Sequence, residues 1–317
     1  MRSMRLILSS FFILLTLTLA AQKMPQTNYT AWWEKIESLV EKKGLYRDGM
    51  IEVNALYKKA KAEKAEAQQI RALVYRLELQ EQLEEFSDTL AISSLVAETA
   101  STKGAANAIL NAILAAYYQQ YYNTHRWQLY NRTATINFSK ENIRSWGPVD
   151  FHTAISNYYQ LAMKDAGLLQ STSLESFEPI VQKGNSRHLR PTLFDLLSWK
   201  ALEYFENDPV EIPKSADAFI MKDPNLLAPA EKFAGLRLSN TDSSSHLLQA
   251  LKIYQQVLGF HLRQKNTAAL ADADLHRLEF VKENISVPGK DKLVLQALER
   301  LEVDFPGSPA SDMASFR

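Results

Sequence analysis

Gly104-Ala-Ala-Asn-Ala-Ile-Leu-Asn-Ala-Ile-Leu-Ala-Ala-Tyr-Tyr-Gln-Gln-Tyr-Tyr122 decides the fold. Ala105, Ala108, Ile109, Ala112, Ile113, Ala116 and Tyr117 recur at i, i+3 and i+4, which is the period of one helix face. Alanine has the best helix propensity, and the stretch is far longer than a strand. A face of small residues lets a neighbouring helix approach closely, so this helix is expected to be central. It ends in a dense aromatic patch, Tyr117-Tyr-Gln-Gln-Tyr-Tyr-Asn-Thr-His-Arg-Trp127.

Helical period continues on both sides. Trp32, Ile36, Leu39 and Val40 form one stripe. Ile70, Leu73, Leu77 and Leu83 form a second, flanked by charges as a surface helix requires. Residues 123 to 147 break the pattern. The stretch from Asn131 to Ser139 is too polar and β-branched for a good helix and is expected to be an ordered loop, with room for a short strand. Gly147-Pro148 ends it, and a helix is predicted from about Asp150 to Met163.

In the second half, Pro191 is expected in the first turn of a helix carrying Leu193, Leu196, Leu197, Ala201 and Tyr204. Residues 207 to 224 contain three X-Pro steps and read as a connector with one short turn. Ser243 to Ser245 can cap a helix carrying Leu247, Leu251, Tyr254, Leu258 and Leu262. Two further helices, Leu270 to Val281 and Leu293 to Phe305, follow after short links. Short links favour antiparallel hairpins. The predicted class is all-α: an irregular α-solenoid of antiparallel helical hairpins, tetratricopeptide-like toward the C-terminus.

The first 21 residues have a separate role. Arg2 and Arg5 precede the apolar run Leu6 to Leu19, which ends in Ala20-Ala21. A charged start, a short apolar run and small residues at the end make a cleavable signal peptide. Cleavage is expected after Ala20 or Ala21, leaving residues 22–317 as one helical repeat-like region. The loop at 123–147 is where a sub-boundary would fall. The membrane is then engaged only through the signal peptide during export.

Lys and Arg total 36 and Asp and Glu total 36, so the chain is formally neutral, and losing Arg2 and Arg5 leaves it slightly acidic. That charge gives no electrostatic footprint for nucleic acid. Cysteine is absent. The chain therefore has no disulfide, no thiol nucleophile, no Cys-based metal site and no lipidation site after the signal. An exported chain without cystine suits a bacterial periplasm or cell envelope.

No catalytic, cofactor-binding or metal-binding constellation emerges. The six histidines lack the i, i+4 pairing with an acid that makes a helical zinc site, and no phosphate loop, dinucleotide fingerprint or nucleophile elbow is present. Glu81, Glu84 and Glu85 read as a solvated helix face. The chain is therefore expected to be no enzyme and to need no cofactor.

Two places are candidates for binding a partner. Arg187 and Arg190 precede a helix start, where they either recognise an anion or partner by bidentate hydrogen bonding or pin a loop to nearby carboxylates. Pinning is favoured, because a helix N-terminus already carries partial positive charge. Tyr121, Tyr122, Arg126 and Trp127 have hot-spot composition, although aromatics also fill the gap between a helix end and a loop. Packing is the favoured reading there.

Several stretches together resemble the N-terminal helical region of bacterial alpha-2-macroglobulin-like proteins. They are Trp33-Glu-Lys-Ile-Glu-Ser-Leu39 with Lys43-Gly44-Leu45, Arg126-Trp-Gln-Leu-Tyr-Asn-Arg132-Thr133, Asn142-Ile-Arg-Ser-Trp146, Asn185-Ser-Arg-His-Leu-Arg-Pro-Thr-Leu-Phe-Asp195 and Asp274-Leu-His-Arg-Leu-Glu-Phe280. Phe305-Pro-Gly-Ser-Pro-Ala310 looks like a connector between tetratricopeptide-like repeats. The resemblance implies an exported endopeptidase inhibitor in which a helical segment precedes β-sandwich domains, a bait segment and often a thioester. The thioester requires a cysteine, so no trapping residue carries over. What carries over is a helical scaffold that docks a protein partner or the downstream domains of the same polypeptide, and the chain is expected to be a fragment or a truncated relative. Two alternatives are an independent periplasmic adaptor that binds a protein or peptide, and a glycan-binding helical protein that stacks sugars on the Tyr/Trp patch.

Overall fold

The computed structural model describes residues 27–84, 87–129, 142–182, 184–209, 212, 214, 217–238, 242 and 244–315. The expected signal peptide and the stretch from Asn131 to Ser139 lie outside the described residues. Among the described residues every regular element is helical, and the one strand-like feature is an isolated bridge between Ser173 and Thr192. No helix among them is long and apolar enough to cross a membrane.

The N-terminal part comprises α1 (Tyr29–Glu37), α2 (Tyr46–Glu63), α3 (Glu66–Leu83), α4 (Ser87–Ser101) and α5 (Gly104–Leu129). The Asn28 side chain caps α1, accepting from the Ala31 amide at 3.0 Å. A π-helical turn over Ser38–Lys42 follows. Trp33, Ile36 and Val40 are buried, whereas Trp32 and Leu39 are only half-buried. The expected stripe was therefore displaced by one residue at its start. Lys64 closes α2 in a left-handed conformation with φ 56°, and Ala65 begins the return into α3. A link that short between long, contacting helices makes them an antiparallel hairpin. Ile70, Leu73 and Leu77 are buried as expected, while Leu83 is exposed at the frayed end.

The helix α5 runs on through Leu129, past the predicted break at residue 123. Its most enclosed face carries Leu110, Leu114, Ala115, Tyr118 and Tyr122, set against α6 (Pro148–Ala162). Tyr118 stacks between Trp146 and Tyr158, with ring centroids 5.3 and 5.5 Å away. Pro148 opens α6 at N1, where its missing amide leaves nothing unsatisfied. The Asp150 carboxylate accepts from the Gly147 amide at 2.9 Å.

After α7 (Ala166–Ser171) a 3₁₀ segment spans Leu174–Ile180, and α8 covers Leu193–Phe205. Thr192, not Pro191, fixes the start of α8. Its hydroxyl accepts from the Asp195 amide, and the Asp195 carboxylate accepts from the Thr192 amide at 3.0 Å and hydroxyl at 2.7 Å. This reciprocal box outcompetes Pro191 for the boundary and leaves the proline just outside the helix.

The connector forms a 3₁₀ turn at Pro224–Leu227 and the short α9 (Ala230–Ala234). It is tied to the last helices, α10 (His246–Gln264), α11 (Thr267–Asn284), α12 (Lys290–Asp304) and α13 (Pro309–Ala314). Arg277 on α11 donates to the Leu226 carbonyl at 2.5 Å, and Arg300 on α12 donates to the Leu227 carbonyl at 2.6 Å. Ser245 caps α10, and Lys265-Asn266 turns it into α11 as Lys64-Ala65 turns α2 into α3.

Candidate functional site

The alanine face of α5 is only partly covered: Ala108, Ile109 and Ala112 are buried, whereas Ala116 is exposed. Ala112, Ile113, Ala116 and Tyr117 form one wall of a groove of about 870 Å³. The expectation that small residues there admit a close neighbour fails only at the far end of the stripe, where Ala116 stays exposed. The deeper contact is made a third of a turn away, by the Leu110, Leu114 and Tyr118 face.

The opposite wall comes from α3. Ile70, Arg71, Val74, Tyr75 and Glu78 recur at helical spacing and point toward the groove. Tyr159 of α6 and Leu196, Leu197 and Lys200 of α8 close one end, and Pro179 to Gln182 form a lip. The lining is mostly aliphatic and aromatic, with a few polar groups at the edges, which is the composition of a binding site.

The walls are braced from behind. The Arg71 guanidinium lies 4.0 Å from the Trp33 ring and 2.9 Å from the Glu37 carboxylate. Trp33 meets Tyr75 edge-on at 5.5 Å and donates its indole N–H to Gln68 at 2.7 Å. Tyr159 is held by Tyr204 at 5.5 Å. Arg187 pairs with Glu178 at 2.9 Å, fixing the 3₁₀ segment that carries the lip. Arg190 pairs with Asp272 of α11 at 3.0 Å and stacks 4.1 Å over the Trp199 ring. Both arginines thus pin the loop before α8, as the structural reading of the sequence expected.

The aromatic patch divides. Tyr122 is buried against Phe151 and His152, with centroids at 5.6 and 5.1 Å. Tyr121 stacks on Phe151 at 5.5 Å and shows only an edge to a smaller hollow. Burial takes Tyr122 out of reach of a partner. Arg126 and Trp127 lie on the surface, and Trp127 is 90% exposed.

The phenols of the groove stay protonated. Burial, then Glu81 and Glu78, push the Tyr117 hydroxyl up to about 12. Burial, then Glu203, take Tyr159 to about 12. Tyr75 is raised by burial and by Glu41, Glu37 and Glu78, against a smaller opposing effect of Arg71. Glu78 opens to solvent on one side, yet partial burial and Glu81 raise its carboxyl above the usual range. These groups hydrogen-bond and attract charge. Among the described residues no group of three His, Asp or Glu side chains converges as a metal site. The groove was missed from sequence because its walls lie far apart in the chain; the one signal was the alanine stripe.

Comparison with family models, with curated proteins and with solved structures finds no match.

Proposed function

We propose that the protein is a non-catalytic, exported helical docking module whose groove between α3, α5 and α8 receives an apolar segment of a protein partner. The observation that carries this reading is the groove of about 870 Å³ that Ala112, Ile113 and the exposed Ala116 of α5 line together with α3 and α8. Apolar surface in a concave site gains free energy when an apolar segment displaces its water, at roughly 25 cal/mol per Å². Grooves between helices are a recurrent way to seat such segments.

The remaining parts of the reading come from the sequence. Residues 1–21 direct export to the periplasm or cell envelope. The resemblance to alpha-2-macroglobulin-like proteins makes the downstream domains of the same polypeptide the first candidate partner. The successive hairpins α2/α3, α10/α11 and α11/α12 suit an irregular, tetratricopeptide-like solenoid.

Panning a random peptide library on the purified protein tests the reading. Apolar peptides should be enriched, and Ala116→Trp, at an exposed position on the groove wall, should abolish their binding without loss of helicity. No enrichment, or unchanged binding by the variant, overturns the reading.

A further inference from the structure

The groove does not end at Tyr117. That residue and Gln120 also line a second hollow of about 320 Å³, which continues along α5 between Glu81, Asp88 and Tyr121. The two hollows are therefore neighbours that share Tyr117 and Gln120, the first mostly apolar and the second lined by the carboxylates Glu81 and Asp88.

The acidic side lacks a matching cation. Neither Glu78 nor Glu81 has an ion pair among the described residues. Arg71 is taken up by Glu37 and the Trp33 ring. Lys200 lines the groove from α8 and pairs with Glu203 at 2.9 Å. Asp88 meets His125 at 2.8 Å and accepts from the Thr89 amide at 2.7 Å. The repulsion between Glu78 and Glu81 is felt locally, since each raises the Tyr117 hydroxyl and Glu81 raises Glu78. A cation held by two carboxylates against a tyrosine ring gains from both Coulomb attraction and the ring quadrupole.

We infer that the segment received by the groove carries lysine or arginine directly beside its apolar block, seated where Tyr117 meets Glu78 and Glu81. The inference rests on the docking reading above and adds the chemistry of the occupant. The apolar block fills the space beside Val74, Ile113 and Leu196, and the basic residues run along α5 toward Asp88.

Fluorescence anisotropy with three synthetic peptides tests it. Each has the block Leu-Val-Leu-Ala-Leu, followed by Lys-Lys, Gln-Gln or Glu-Glu. The lysine peptide should bind about tenfold more tightly than the glutamine peptide at low salt, the sum expected from two half-exposed charge pairs. The glutamate peptide should bind most weakly, and added salt should narrow the differences. A variant carrying both Glu78→Gln and Glu81→Gln should bind the lysine and glutamine peptides equally. Equal binding of all three peptides by the unsubstituted protein, or preference for glutamate, overturns the inference and leaves the docking reading standing. No binding of any peptide overturns both.

Discussion

The Asp195 carboxylate stands 3.0 Å from the Nε2 of His261, with both side chains almost wholly enclosed. One oxygen of Asp195 closes the N-terminus of α8 and the other meets α10, so a single side chain caps one helix and locks it to another. Asp195→Ala removes the cap and leaves a buried imidazole facing an empty site. The two losses together predict about 2–4 kcal/mol of destabilisation. Urea denaturation checks this, and a loss under about 1 kcal/mol would show that the contact matters little.

Arg277 offers a second buried contact. Its guanidinium is fully enclosed, donates to Asp274 through Nε at 2.8 Å, and lies 4.6 Å from the Phe233 ring. Arg277→Met strands a buried carboxylate and frees the Leu226 carbonyl, with an expected cost of about 3–5 kcal/mol. Adding Asp274→Leu removes the stranded charge. The double variant should therefore be more stable than Arg277→Met alone, which a double-mutant cycle measures.

Gly49 is a close approach between α2 and the π turn. A β-carbon built there would lie 2.4 Å from a methyl of Val40. Gly49→Ala should destabilise by about 1–3 kcal/mol despite alanine's better helix propensity. Pairing it with Val40→Ala relieves the clash. If Gly49→Ala raises the melting temperature, the contact is looser than described.

His246 sets a pH dependence. Burial lowers its pKa below the ordinary 6.5, against smaller raising effects of the Asn207 carbonyl and Asp208. The unfolded chain therefore binds a proton more readily than the folded one. This contribution is fully present above about pH 6.5 and is lost as pH falls through the window between 6.5 and the lower folded value. Denaturation midpoints at pH 7.5 and pH 5.5 should differ less in His246→Phe than in the parent protein.

Much of the fold was legible because helices declare themselves locally. The Ser245 cap and the stripes at Ile70–Leu77 and Leu251–Leu258 depend on residues within two turns of one another, whereas the Thr192–Asp195 box went unread behind Pro191. The pairing of Arg187 with Glu178 joins nearby residues, but the partner of Arg190, Asp272, lies 82 residues on, where no local pattern announces it. The errors are equally physical. Trp33 rather than Trp32 is buried because both stand at helical spacing to Ile36, and only packing against α3 chooses between them.

By itself the sequence determined the helical class, most boundaries and the central place of the helix beginning at Gly104. Those properties rest on i, i+4 hydrogen bonding and on apolar spacing within single segments. Only the tertiary structure decided which face of that helix is covered. The choice depends on how Leu110, Leu114 and Tyr118 meet α6 while Val74, Leu196 and the exposed Ala116 line a groove. That is packing between segments distant in the chain, where shape and volume rather than periodicity select the arrangement.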